Sequence, residues 1–434
     1  MSFFIPSRIA AFISLAVAIS VQSAQARGDI EYRPFFYQPY DSADTEWALE
    51  PELDAPPSPP PYAGYLIGQA TTYNGVQVAK VLEPALLDVL NSGELTSEEI
   101  KALQKVNEAL AGQPGGIGAA LEQLAGSQNA NLATATHAVT GQISNQLLST
   151  LRALPVDENN HVWVQGLGND GNLDPRSGSA GLKQATRGLL LGADWAVDQA
   201  WRVGVMGAKS ASNLEAQRFS AELDSLHLGA YAVRQDGPLA LRLGAIYSSH
   251  AGTNRRNVNL LDYKDQLKSR YDAQSQTLFS ELGYQLGSQG LRVEPFAGLG
   301  YQRYHRDSFK ESGGLTALNV GAQTQQNLSS TVGLRLATVY RFDNQVSLTP
   351  HLSTGWKHLY GAVDSQVRQA YRNVPAALDG FTITGTSLDR NSLDVNAGVD
   401  LALSKQHTLG LSYSGQAGTH SRNQGIKGQW TMSF

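Results

Sequence analysis

Cysteine is absent from the 434-residue chain, which removes both a disulfide scaffold and thiolate chemistry from consideration. Charge is scarce as well. Asp, Glu, Lys and Arg make up 16% of residues, well under the roughly one quarter with which soluble domains cover their surfaces. Neither sign dominates: 33 Lys and Arg stand against 38 Asp and Glu, and the formal charge of −5 leaves no basic footprint for nucleic acid. No uninterrupted apolar run reaches the ~18 residues that a membrane-spanning helix requires, and the mean hydropathy is −0.25. What the chain has in quantity is glycine, 43 residues. Few charges, abundant glycine and no long apolar run point to a barrel whose strands alternate between lipid and a polar interior.

The N-terminal part divides by composition. Residues 1–26 read as a signal peptide, with Arg8, an apolar stretch from Ile9 to Val21, and the small-x-small pattern Ala24-Gln25-Ala26. Residues 27–75 form an exported segment with no means of building a core. Acidic residues from Asp29 to Asp54 precede Pro56, Pro57, Pro59, Pro60 and Pro61, a spacer of polyproline II type. Arg27-Gly28-Asp29 is a tripeptide associated with adhesion, but three residues are a weak motif. Residues 76–126 read as a small helical adaptor. It comprises Val76 to Leu90 interrupted at Pro84, a helix opened by the capping box Thr96 and Glu99, and a short helix from Ile117 to Ala125.

Residues 127–158 carry a different pattern. Leu132, Ala135, Val139, Ile143, Leu147, Leu151 and Leu154 recur at three- and four-residue steps, opposite Asn131, Thr134, Gln142, Asn145 and Ser149. The helix so predicted would run about 36 Å, enough to cross a bilayer core, yet it is too polar to face lipid. A polar barrel lumen suits it.

From residue 159 to 434 the period becomes two. Leu291, Val293, Pro295, Ala297, Leu299 and Tyr301 share one face, with Arg292, Glu294, Phe296 and Gln302 on the other. About twelve such strands are expected, starting near Val162, Thr186, Trp201, Ser225, Leu239, Ser275, Leu291, Leu328, Gln345, Ser392, His407 and Gln424. Short connectors alternate with long ones, among them Asn169 to Ala185, Ser212 to Leu223, Ala251 to Gln274, His305 to Asn327 and Gly361 to Asn391. Short turns belong on the periplasmic side and long loops outside. Trp195, Trp201, Tyr247, Tyr301, Tyr340, Trp356 and Tyr360 are expected as interfacial girdles. Inward positions assign Arg202, Arg242, Glu281, Arg292, Glu294, Arg335, Lys357, Asp394, Asp400 and Lys427 to the lumen lining, and His227 and His351 to a wet interior.

In the last strand Ile426, Gly428, Trp430, Met432 and Phe434 share the lipid face. Trp430, Met432 and the terminal Phe434 resemble the C-terminal assembly signal of bacterial outer-membrane barrels. Together with the signal peptide, the run Ala119-Ala120-Leu121-Glu122-Gln123-Leu124-Ala125-Gly126, the pore-length helix and the barrel, they make residues 77–434 similar to the translocator of bacterial autotransporters, the type V secretion family. That resemblance implies an all-β membrane fold in a Gram-negative outer membrane, surrounded by outer-membrane lipid. It also implies delivery by the Sec translocon, insertion by the barrel-assembly machinery, and an N-terminal passenger at the cell surface whose ligand the sequence does not identify. Some members cleave their linker helix beside an Asn, which makes Asn145 the candidate position here.

No chemistry-bearing motif competes with this reading. Gly166-Leu167-Gly168-Asn169-Asp170-Gly171 fits the dinucleotide pattern but leads into Asp174-Pro175 instead of a helix, so nothing would hold a pyrophosphate. No GxSxG or HExxH occurs, and no catalytic, metal or cofactor residue is assigned; Asp170 and Asp174 are expected in a solvated external loop. The expected function is export and anchoring of the chain's own N-terminal segment. A porin-like channel for small solutes and an adhesin with a minimal surface segment stay open as alternatives.

Overall fold

Period-two alternation without charge on the apolar face gives strands that must close on themselves, because an open edge cannot be satisfied in hydrocarbon. The computed structural model describes residues 64–91, 96, 101, 105, 107–154, 159–175, 178–261, 263–287, 290–342, 346–361, 363–372 and 380–434. The signal-peptide and Arg27-Gly28-Asp29 readings, residues 27–63 of the exported segment, and Glu99 of the capping box lie outside these residues; residues 64–75, read as part of a segment without a core, instead place Leu66 in a buried cluster.

Twelve antiparallel strands close into one barrel. They are β1 (His161–Leu173), β2 (Leu182–Ala196), β3 (Trp201–Ala216), β4 (Phe219–Asp236), β5 (Leu239–Leu260) and β6 (Tyr263–Tyr284). The remainder are β7 (Leu291–Arg306), β8 (Gln323–Thr338), β9 (Ser347–Gly361), β10 (Asn391–Ala402), β11 (His407–Gly418) and β12 (Ser421–Ser433). Each pairs with its chain neighbour, and β1 closes on β12 from His161↔Ser433 to Leu173↔Ser421. The outer face exposes Val203, Val205, Leu226, Leu228, Leu299, Val332, Leu334, Leu411 and Ile426. Trp195 and Tyr340 border this apolar band at the end with short turns, and Tyr247, Trp356, Tyr360 and Tyr413 at the other.

The strands extend beyond the band further than the sequence reading has them. The expected loops Ser212 to Leu223 and Ala251 to Gln274 are instead continuations of β3–β4 and β5–β6, the latter paired from Leu239↔Tyr284 to Leu260↔Tyr263. Above Tyr247 the outer face of β5 turns polar, through Ser249, Thr253, Arg255, Asn257 and Asn259, while its inner face stays covered. Likewise β1 reaches Leu173, so Asp170 stands on a strand and not in a loop, and the GxGxxG run is plain β structure.

What covers those inner faces is a cap. The helices α1 (Tyr65–Gln69), α2 (Tyr73–Asn91) and α3 (Gly116–Ala125) pack on a four-stranded sheet made from the long loops. That sheet comprises Phe309–Lys310, Leu318–Val320, Gln366–Tyr371 and Phe381–Thr384. Leu66, Val78, Leu82, Leu121, Leu124, Leu318, Val367 and Ile383 share one buried cluster, so the helices borrow a core from the barrel's loops. Pro84 does not interrupt α2, contrary to the sequence reading. Its ring lies on the exposed side, as does Lys80, whose carbonyl loses its partner where water can replace it. The buried Glu83 accepts from Leu66 N at 2.9 Å and Ile67 N at 3.2 Å and thereby caps α1.

Gly126, at φ 58, turns the chain from the cap into α4 (Gln128–Ala153). That left-handed backbone conformation favours glycine, and a Cβ there would also press on the Leu318 side chain, 2.8 Å from its Cδ1. The 26 residues of α4 then run about 39 Å down the lumen, starting near the cap.

Candidate functional site in the plugged lumen

The amphipathic pattern of α4 decides how it sits. Ile143, Leu147 and Leu151 pack on Trp163, Leu190, Met206, Tyr231 and Ile246, inner-face residues of β1 to β5. Its polar side faces the opposite wall across two cavities of about 330 and 160 Å³.

Near the helix's C-terminus Arg152, its one fixed charge, enters a buried ion cluster on the wall. Arg152 Nε donates to Glu281 Oε1 at 3.0 Å, and its Nη2 pairs with Oε2. Arg242 Nη1 donates to Glu281 Oε1 at 3.1 Å and Glu294 Oε1 at 2.8 Å. Arg335 bridges the same two carboxylates, at 3.2 and 2.8 Å. Three guanidiniums on two carboxylates leave a local surplus of one positive charge, softened by the ring of Phe296, which lies 5.0 Å from Arg152 and 5.1 Å from Arg335. In the low dielectric of the lumen such a cluster fixes register; loss of a carboxylate would leave two positive charges unmatched, whereas loss of one guanidinium would leave the charges balanced.

The other inward residues distribute along the plug. Lys427 Nζ donates to Ser149 Oγ of the helix at 2.9 Å and to Gln429 Oε1 at 3.3 Å. Thr150 Oγ1 reaches Gln165 Oε1 at 3.1 Å, and Gln165 Nε2 donates to Gln146 Oε1 at 3.0 Å. Arg202 Nη1 donates to Asp194 Oδ1 at 2.6 Å, in a group with His161, Tyr231 and Trp163. Arg292 and Asp400 line the larger cavity at the short-turn end, Asp400 3.6 Å from His351. Lys357, Asp394 and Asn145 line the smaller one, Asn145 on the open side of the helix. His227 departs from expectation: it is fully buried between Ser210 Oγ at 3.0 Å and Ser248 Oγ at 2.7 Å, not in a wet lumen.

The upper end of the helix is held through Asn131, named on its polar face, by partners the sequence reading did not single out. Thr386 N donates to Asn131 Oδ1 at 2.7 Å, and Asn131 Nδ2 to Ser179 Oγ at 2.8 Å. Arg256 grips the buried Glu311 at 3.0 and 2.6 Å and also donates to Gln123 O at 3.1 Å. For Asp194 the signal was available, since it falls on the inward parity of β2; the partners from distant loops had no local signature.

The helix therefore leads from the cap to the short turn Asp198-Gln199-Ala200 at the opposite mouth, where β1 begins. Residues 162–414 match the family model described as the autotransporter β-domain. The chain belongs to the autotransporter β-domain family. It is a translocator barrel of the Gram-negative outer membrane, with its passenger side at the cell surface. Two extracellular serine proteases of Serratia marcescens are each 31% identical to it over 278 residues, 64% of this chain and 26% of theirs. The chain thus spans about a quarter of the length of these relatives. The translocator domain of the autotransporter NalP from Neisseria meningitidis shares the fold at TM-score 0.58 and 14% identity, covering 70% of this chain and 98% of that one. In this translocator Trp430 and Phe434 are exposed on the lipid side of the last strand and Met432 is half-buried there. Among the described residues no group of three or more His, Asp or Glu is arranged to hold a metal ion.

Proposed function

We propose that this translocator carries the polypeptide preceding α1 through its own barrel and holds it at the cell surface, with α4 left behind as the plug. The observation that carries the reading is the direction of α4. Its C-terminus lies by the short periplasmic turns and its N-terminus by the cap, so whatever precedes Gly64 continues from the outer side. An occupied lumen weighs against a solute channel. Delivery through the Sec translocon and insertion by the barrel-assembly machinery belong to the same proposal, with Trp430, Met432 and Phe434 as the assembly signal. The divisions of residues 27–75, 76–126 and 127–158 into exported segment, adaptor and linker helix, and Asn145 as a cleavage position, are likewise part of it. The protease activity in the relatives' names stays with those proteins.

The absence of cysteine makes the test simple. Ser42→Cys, placed in the acidic segment, should react with a membrane-impermeant maleimide on intact cells. Labelling that required permeabilised outer membranes would place the segment in the periplasm and remove the proposal.

A further inference from the structure

On the lipid side of the wall, where β12, β1 and β2 meet, the barrel surface is bare backbone. Gly428 stands opposite Gly166 in the register, and Gly168, the next outward position, lies between Ile426 and Arg187. No atom lies within 4 Å of where a Cβ would stand at any of these three glycines. A groove of about 770 Å³ results, walled by Ile426 and Leu189.

Arg187 on β2 and Lys209 on β3 close its upper rim, both exposed and diagonal to each other across the β2–β3 register. Each is the first charge on the outer face of its strand above the apolar band of Leu189, Leu191, Val203 and Val205. Among the described residues neither forms an ion pair. Asp170 and Asp224 stand one outward position further from the band on the adjoining strands, and neither is bonded to them.

This face is continuous with the membrane-facing wall, so lipid covers it, and its upper end is in the outer leaflet. An apolar groove alone accepts any acyl chain. Two unpaired cations at headgroup height, about 5–8 Å apart at their Cβ atoms, select for charge, since guanidinium and ammonium together match phosphate oxygens. We propose that the groove binds one anionic phosphorylated lipid, with an acyl chain over Gly428, Gly166 and Gly168 and the phosphate between Arg187 and Lys209. The proposal depends on the barrel's seat in the membrane and not on the direction of export.

The test uses the full chain, purified in uncharged detergent, freed of lipid and titrated with dioleoyl phosphatidic acid or with dioleoylglycerol, bound lipid being counted by native mass spectrometry. One phosphatidic acid per barrel is expected, held at least about tenfold more tightly than the phosphate-free lipid and not displaced by millimolar inorganic phosphate. The double variant R187Q/K209Q should weaken phosphatidic acid about tenfold and leave dioleoylglycerol unchanged. Gly166→Leu fills the groove floor and should weaken phosphatidic acid without altering either charge; heat-modifiable gel mobility confirms that each variant is folded. Equal affinity for the two lipids, displacement by inorganic phosphate, or R187Q/K209Q binding phosphatidic acid like the parent would overturn the assignment.

Discussion

Leu334 and Arg335 are chain neighbours on opposite sides of the wall. Leu334 is 40% exposed on the outer face, whereas Arg335 bridges Glu281 and Glu294 inside. Leu334→Arg should cost about 2–4 kcal/mol at mid-membrane depth and sharply reduce folded barrel. Arg335→Leu should still assemble, because Arg152 and Arg242 remain for the two carboxylates, but with lower urea resistance. The yield of heat-modifiable protein separates the two; equal yields would contradict the face assignment. At the last strand, Phe434→Ala should reduce insertion far more than Lys264→Ala, an exposed change on the projecting β5–β6 hairpin.

Among the elements, the wall strands within the membrane were legible and their outer ends were not. Between Leu291 and Gln302 one face meets lipid and the other a polar lumen, so parity is written in the residue types. Above the band that contrast disappears. On β5, Ser249, Thr253 and Arg255 face outward while His250, Asn254 and Arg256 are buried on the inner face, and polar residues occur on both sides. The cap itself was illegible for a related reason: its buried cluster joins Leu82 and Leu121 to Val367 and Ile383, which are far apart in the chain. The lumen helix was legible because its stripe is complete within one segment. The cap also has a pH dependence of its own. Burial lifts the Glu122 carboxyl from its ordinary 4.5 to about 7, against the opposing hydrogen bond from Gly75 N at 3.1 Å. A raised carboxyl binds its proton more readily in the folded cap, so stability declines as pH rises from about 4.5 through 7. Protection factors of the α2 and α3 amides, that is, exchange rates corrected for the intrinsic base-catalysed rate, should therefore be lower at pH 8 than at pH 5. Glu122→Gln should flatten that difference, and an unchanged slope in the variant would exclude Glu122 as its source.

At the scale of the whole molecule, barrel, plug and cap are tied at both ends of one helix. Arg152 joins the cluster of Glu281 and Glu294 below, and Asn131 is bonded to Thr386 and Ser179 above. The wall ladder closes through β1 and β12 without any contribution from the helix, so the barrel should fold when the helix is removed. Its interior would then present Arg202, Arg242, Glu281, Glu294, Arg335, Asp394, Asp400 and Lys427 to an open water-filled path. The most direct measurement is single-channel conductance in planar bilayers, comparing the full chain with a form that begins at Asn159, both verified as folded by heat-modifiable mobility. The plugged-lumen account predicts a small or fluctuating conductance for the full chain and a large, steady one for the shortened form. Equal conductance in the two would contradict it, because the helix could not then be what fills the pore.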